Sequence, residues 1–233
     1  MSLTKQIIKK IEKDPHFFPE SSEAETVNFL KSLIILTQPE NVLEIGTFIG
    51  YSTCAIADGL TKKAFLTTVD SKKYFLKYYK LLPNHIKEKI KIVNKESKQF
   101  FFDLNKNIKF DFIFIDASHD YISVFSDFFL SLKHTKKESI YVFHDSISLG
   151  VNRVLKCIKL ANIFSAGKTA NIIMLPTPEK PEITILKKKN EIPEQLSCIS
   201  GIAIATLSKN IFYPVFYFIL LIIYKFNKIK NIE

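Results

Sequence analysis

Four side chains near the middle of the chain could do chemistry together. Asp116 and His119 stand three residues apart in "FDFIFIDASHD", and His144 and Asp145 are adjacent in "SIYVFHD". Two carboxylates that converge on one point can hold a hard divalent cation, and such a cation lowers the pKa of a hydroxyl bound to it. His119, with an unperturbed pKa of about 6.5, is a general base close to working pH. Alone, Asp116 reads equally well as a helix N-cap after a strand; the second acid, Asp145, ending a neighbouring strand, favours a metal. His144 has three readings: a ligand, a group holding Asp145 from behind, or the polar end of a buried strand. As a ligand, its imidazole suits manganese, iron or zinc better than magnesium. His16, His85 and His134 sit in lysine-rich, apparently exposed stretches and have no evident role.

A second constellation lies upstream in "NVLEIGTFIGYSTCAIADGL", residues 41 to 60, where Glu44 precedes two glycines, Gly46 and Gly50. A dinucleotide turn uses G-x-G-x-x-G so that a pyrophosphate can approach the backbone at a helix start. Here Thr47 and Phe48 occupy the place of the middle glycine, which crowds a pyrophosphate but leaves room for a nucleoside without phosphates. Glu44 puts negative charge at the strand end and favours a ligand that carries positive charge. S-adenosylmethionine, with a sulfonium and an ammonium, is such a ligand. Asp70, closing "AFLTTVD", can accept hydrogen bonds from ribose hydroxyls, and Glu96 and Ser97, just after "IKIVN", are placed to meet an adenine edge. An NAD-dependent enzyme is the alternative, disfavoured by the missing glycine. A binding module that keeps the pocket without catalysis is another, although it would not need Asp116, His119 and Asp145.

Such residues need a frame that brings strand ends together. Ser22 and Glu25 read as a capping box opening a helix whose apolar positions Val27, Leu30, Leu33 and Ile34 recur at helical spacing. The short apolar runs "NVLEI", "AFLTTVD", "IKIVN", "FDFIFID" and "SIYVFHD" alternate with helical segments, which predicts an α/β fold with a doubly wound parallel sheet covered on both faces. After a helix around "GVNRVLKCIKL", "NIIMLPTPEKPEITIL" reads as two strands joined by a proline-containing turn, adding one antiparallel strand. Ligands in such sheets sit beyond the carboxyl ends of the strands.

The stretches "VLEIGTFIGYST", "TTVD", "FDFIFIDASHDY" and "YVFHD" resemble those of class I S-adenosylmethionine-dependent methyltransferases, and among them the metal-dependent O-methyltransferases, over roughly residues 20 to 190. The resemblance implies a Rossmann-like, seven-stranded, mostly parallel sheet with strand seven antiparallel. It also implies a cofactor lying over Gly46 to Ser52, Gly50 included, with Glu44, Gly46, Thr47, Tyr51 and Ser52 at its methionine end, Asp70 on the ribose and Asp116 close by. A divalent metal, magnesium or manganese, would be held by Asp116, His144 and Asp145. Catechol-type members have D-A-D-K where this chain has D-A-S-H. The histidine version is more similar to O-methyltransferases that act on sugar hydroxyls of macrolides and glycans, and His144 replaces a residue that is commonly acidic. The implied activity is methyl transfer to a hydroxyl of a small molecule or glycan, with His119 as base.

The rest of the chain bounds the partners. At 233 residues it fits one domain of the larger kind. Its net charge of +10 rests on scattered lysines, with Arg153 the only arginine, so nucleic acid is not an expected partner. Cys54, Cys157 and Cys198 show no C-x-x-C spacing, which excludes an encoded zinc site and points to a reducing cytoplasm. The opening "MSLTKQIIKKIEKD" is a charged amphipathic helix without a signal-peptide core. A methyltransferase domain is expected over residues 1–190 and an apolar helical appendage over 191–233. In that appendage the uncharged run "IFYPVFYFILLIIY" covers about 21 Å as a helix, short of the ~30 Å hydrocarbon layer, and "CISGIAIATLSKN" adds a second apolar piece. Two readings stand. Residues 211–230 lie at the inner face of a membrane, with Phe212, Tyr213, Tyr217 and Tyr224 at the headgroups and Lys225, Lys228 and Lys230 over anionic lipid; or the helix is buried in a homodimer.

Overall fold

The apolar strands carry large side chains at odd and even positions alike, so each face of the sheet must be covered. In a computed structural model, which describes residues 3–17, 21–164, 170–176, 201–208 and 213–230, that is the outcome. Helices α1 (Leu3–Ile11) and α2 (Ala24–Thr37) lead into β1 (Asn41–Ile45), followed by α3 (Tyr51–Gly59) and β2 (Phe65–Val69). Short helices α4 (Leu76–Tyr79) and α5 (Asn84–Lys87) precede β3 (Ile90–Val93), α6 (Ser97–Asp103) and β4 (Phe110–Ile115). Then come α7 (Tyr121–Ser131), β5 (Thr135–Phe143), α8 (Leu149–Phe164), β6 (Ala170–Pro176), β7 (Gly201–Ser208) and α9 (Tyr213–Lys230).

The strands form one seven-stranded sheet in the order β3-β2-β1-β4-β5-β7-β6. Only β7 runs against its neighbours, pairing antiparallel with both β5 and β6. Val42, Leu66, Phe112, Phe114 and Val142 face a core closed by α1 to α5, while the intervening Leu43, Ile45, Ile113, Ile115, Tyr141 and Phe143 face α6 to α9. The expected doubly wound sheet with one antiparallel strand is therefore present.

Its last two strands differ from expectation. β6 covers the first half of the stretch read as a hairpin and pairs with residues 201–208, while the second half, "EITIL", lies outside the described residues. The segment read as a second apolar piece of an appendage is thus a strand inside the sheet, and the domain does not end at residue 190. Isoleucines at 202 and 204 and Thr206, alternating with small residues, form a period-two pattern that hydrophobicity alone hides.

The terminal helix α9 also departs from the appendage reading, because its inner face completes the domain's own core. Leu220 is fully buried, Tyr224 stacks on Phe129 at 4.5 Å between ring centroids, and Tyr217 does so at 5.4 Å. Asn227 Nδ2 donates to the Tyr121 hydroxyl at 2.9 Å. Tyr217 and Tyr224, expected at lipid headgroups, instead pair with aromatics of α7, where burying ring area is worth more than hydration. Among the described residues no helix is long and apolar enough to cross a membrane. Arg153 lies over the Tyr121 ring, 4.4 Å from its centroid, and His134 is buried against Phe101 rather than exposed.

Candidate functional site

A cleft of about 710 Å³ opens beyond the carboxyl ends of β1 to β5. Gly46, Thr47, Tyr51, Ser52 and Asp70 line one part of it, and Glu96 and Ser97 another. Asp116, His119, His144 and Asp145 line a third, so the two constellations share one cavity. Glu44 and Gly50 are not on its wall.

The turn after β1 explains both glycines. Gly46 has φ +103°, and a Cβ there would fall 2.2 Å from the Asp116 carbonyl oxygen; Gly50 has φ +86°, with the Phe75 ring 1.9 Å from where its Cβ would be. Only glycine fits either place. Gly50 therefore shapes the turn and does not wall the cleft. Phe48, standing where a middle glycine would be, holds a left-handed φ of 45°. Its N–H donates to Asp70 Oδ2 at 2.7 Å, and Lys72 N–H donates to Asp70 Oδ1 at 2.7 Å. Asp70 is thus fixed by backbone donors, with lone pairs remaining on each oxygen.

Glu44 has a different place from the one expected. It is fully buried beneath the turn and accepts hydrogen bonds from Ser52 Oγ (2.7 Å), Thr53 Oγ1 (2.5 Å) and Thr68 Oγ1 (2.6 Å). Thr68 spends its proton on Glu44, so Thr47 donates at the 2.5 Å Thr47–Thr68 contact. Saturated by hydroxyls, Glu44 holds the turn together and does not offer its charge to a ligand. The Ser52 hydroxyl is likewise spent on Glu44, and the Tyr51 hydroxyl donates to Glu12 at 3.0 Å. Ser97 donates to Asp127, a buried acid of α7 that also lines the cleft. Sequence reasoning missed Asp127, although one acid inside the apolar run "VFSDFFL" was a signal.

Burial pushes the Glu44 carboxyl from 4.5 up to about 7, against the opposing pull of its three hydroxyl donors. Between those values the unfolded chain gives up a proton that the folded chain keeps, so folding loses stability as pH rises through the window. Glu44→Gln cannot titrate. Denaturant unfolding from pH 4.5 to 8 should show the wild type losing about 3 kcal/mol relative to Glu44→Gln. A constant difference between the two proteins across that range would mean that Glu44 ionises as freely folded as unfolded.

At the other end of the cleft, one ligand atom from each of Asp116, His119, His144 and Asp145 lies within 4.8 Å of the others. His119 Nε2 is 2.7 Å from Asp145 Oδ2, and His144 Nδ1 is 2.9 Å from Asp116 Oδ1 and 3.2 Å from Asp145 Oδ2. Ligand bonds of about 2.1 Å place neighbouring donors about 3 Å apart, which these spacings match. His144 Nδ1 is buried, and neither carboxylate meets it in hydrogen-bonding geometry. A buried nitrogen aimed between two carboxylates without bonding either suits a cation, so the residues fit a divalent metal. Asp145 holds a left-handed φ of 48°, a strained backbone of the kind kept at functional sites. The His119 loop is braced by α8: a Cβ on Gly150 would fall 2.0 Å from the His119 carbonyl oxygen.

The charges are strongly coupled. Burial raises the Asp145 carboxyl, but the His119 and His144 rings beside it outweigh this and hold it well below the usual carboxylate range. Burial lowers His144, and the Asp116 charge beside it, with the nearby carboxylates of Asp145 and Glu23, lifts it well above an ordinary imidazole. The bond to Asp145 likewise raises His119.

A strand order of 3-2-1-4-5-7-6 with β7 reversed and a cleft over the first turn defines the class I methyltransferase fold. Residues 43–146 match the family described as a methyltransferase domain. Over those residues the chain is similar to a methyltransferase domain, and the fold around them is that of class I S-adenosylmethionine-dependent methyltransferases. Among solved structures it is similar to the O-methyltransferase TomG from Streptomyces achromogenes, involved in tomaymycin synthesis and solved with S-adenosylmethionine (16% identity, TM-score 0.65, covering 89% of this chain and 90% of that one). It is similar also to an O-methyltransferase from Bacillus cereus in complex with S-adenosylhomocysteine (17%, TM-score 0.64, 89% and 91%) and to a methyltransferase from Geobacter sulfurreducens (12%, TM-score 0.60, 90% and 90%). No curated protein matches the chain.

Proposed function

We propose that the protein transfers the methyl group of S-adenosylmethionine to a hydroxyl of a small molecule or glycan, with a divalent metal at Asp116, His144 and Asp145 and His119 as general base. The observation that carries this reading is the convergence of Asp116, His119, His144 and Asp145 in the cavity whose other end holds Asp70 and the Gly46 turn. The O-methyltransferases from Streptomyces achromogenes and Bacillus cereus, solved with cofactor or product, support the donor and the hydroxyl acceptor by analogy.

A bound divalent cation supplies the acidity of the acceptor hydroxyl. The chain's own residues orient the acceptor and take its proton. His119 is about half exposed, with Nε2 on Asp145, which leaves Nδ1 to accept the proton and Asp145 to stabilise the resulting imidazolium. The acceptor oxygen forms its bond to the methyl carbon as the sulfonium–methyl bond breaks, and neutral S-adenosylhomocysteine leaves. Incubation with methyl-labelled cofactor, manganese and a panel of sugar and small-molecule alcohols should put label on oxygen. Label found only on nitrogen or sulfur acceptors would replace the hydroxyl assignment.

We also propose that the outer face of α9 meets anionic lipid. Val215, Phe218, Ile222 and Phe226 recur on one stripe and are 45% to 58% exposed, with exposed Lys225 beside them. A second copy would set like charges together across the stripe, whereas an anionic surface satisfies both components. Truncation is a poor test, because the inner face of α9 completes the core. The intact protein should co-sediment with phosphatidylglycerol vesicles, less so at high salt, and the double substitution Phe218→Ser, Ile222→Ser should abolish this. A protein that ignores the vesicles and has dimeric mass by light scattering would establish the homodimer instead.

A further inference from the structure

The start of α2 forgoes its own cap. The expected capping box of Ser22 and Glu25 is not formed: the N-cap residue is Glu23, with extended backbone and no side-chain bond to an N–H of its helix. Leaving a cap unmade costs a helix stability. The Ser22 and Glu23 side chains are instead turned to the cluster of Asp116, His119, His144 and Asp145. Ser22 Oγ donates to Asp116 Oδ2 at 2.7 Å, across 94 residues of chain. Glu23 Oε2 lies 3.1 Å from His144 Nε2, across 121 residues, and also accepts from Thr26 Oγ1 at 3.2 Å. The His144 and Glu23 side chains are only 7% and 17% exposed.

A carboxylate can only accept, so the ring nitrogen facing Glu23 must carry the hydrogen. The tautomer and the ring plane of His144 follow from that single contact. They leave Nδ1 as the nitrogen that points between Asp116 and Asp145, in the position where it finds no hydrogen-bonding geometry. We propose that Glu23 is a positioning residue: it orients His144 so that Nδ1 serves as a metal ligand, and its charge makes that nitrogen a better donor. This rests on the metal reading of the cluster. Carboxylates behind ligating histidines act in this way at metal centres, and their loss typically weakens metal binding about 10- to 100-fold. Ser22 holds Asp116 from the same segment, so the start of α2 orients two of the ligands.

The test is calorimetric titration of the intact, cofactor-free protein with manganese and, separately, with magnesium. Wild type, Glu23→Gln and Glu23→Leu are compared, and S-adenosylhomocysteine binding is measured on each. Manganese affinity should fall about tenfold in Glu23→Gln, which keeps an acceptor but loses the charge, and up to about a hundredfold in Glu23→Leu. Magnesium should lose less, because a nitrogen donor counts for less on the harder ion, and S-adenosylhomocysteine binding should not change. General damage to the fold would not produce that selectivity. Equal manganese affinity in all three proteins overturns the role of Glu23 and leaves the metal in place. No manganese binding by the wild type overturns the metal reading itself. Should Glu23→Leu fail to bind S-adenosylhomocysteine and so fail to fold, the difference between wild type and Glu23→Gln decides alone.

Discussion

Excess chelator is expected to abolish methyl transfer while S-adenosylhomocysteine binding survives. The cofactor turn and the cluster of Asp116, His119, His144 and Asp145 occupy different ends of one cleft, so stripping the second should leave the first intact. Asp116→Asn and Asp145→Asn should do the same. At position 145 asparagine is a clean substitute: it tolerates the left-handed backbone that Asp145 adopts at φ 48° and removes only the charge. His119→Ala should lower the maximal rate by about 10²- to 10⁴-fold, the usual contribution of a positioned base. Assay of labelled methyl transfer, paired with product-binding calorimetry on each variant, checks all of these. Full turnover in chelator removes the metal from the reaction, and an unchanged rate in His119→Ala removes the base.

The second large effect is at the cofactor. Asp70→Ala should weaken S-adenosylhomocysteine binding by about 1–3 kcal/mol, the range for losing hydrogen bonds to a charged group. The same carboxylate also accepts from the N–H groups of Phe48 and Lys72, so part of the loss will come from a loosened turn. Asp70→Asn separates the two contributions, since its amide oxygen can still accept from one backbone donor while the charge proposed to meet a ribose is gone. Calorimetry on both variants should therefore rank wild type above asparagine above alanine. Tighter binding of NAD than of S-adenosylhomocysteine by the wild type would contradict the methyltransferase chemistry altogether.

Some of this was legible in the sequence because its signals are local. Strand ends mark where a parallel sheet delivers its side chains, so Asp70, Asp116 and Asp145 could be placed from the runs that precede them. Gly46 and Gly50 announced a turn that only glycine can make. Glu44 was legible as a strand-end acid but not in its direction, because that depends on which face of the pleat the hydroxyls of Ser52, Thr53 and Thr68 occupy. Ser22 and Glu25 matched a capping pattern, but tertiary contacts overrode it and drew the side chains of Ser22 and Glu23 to the cluster. Their partners lie 94 and 121 residues away, and no spacing rule reaches so far. β7 was hidden by its small residues, and α9 looked like a free apolar helix because the aromatic shelf it rests on, Phe125 and Phe129, belongs to an element far upstream.

β7 lies between β5 and β6, although it is made after both of them. During synthesis the edge of β5 therefore stays bare, and β6, whose pairing here is with β7, has emerged without its partner. An unpaired central strand of a hydrophobic sheet is a template for pairing with other chains. The cofactor cleft, built from the first five strands, can take shape early, but the sheet cannot close until residues 201–208 leave the ribosome, nor its aromatic face be covered until α9 follows. Between making β5 and making β7, a nascent chain therefore carries a sheet edge that its own later strand has yet to pair.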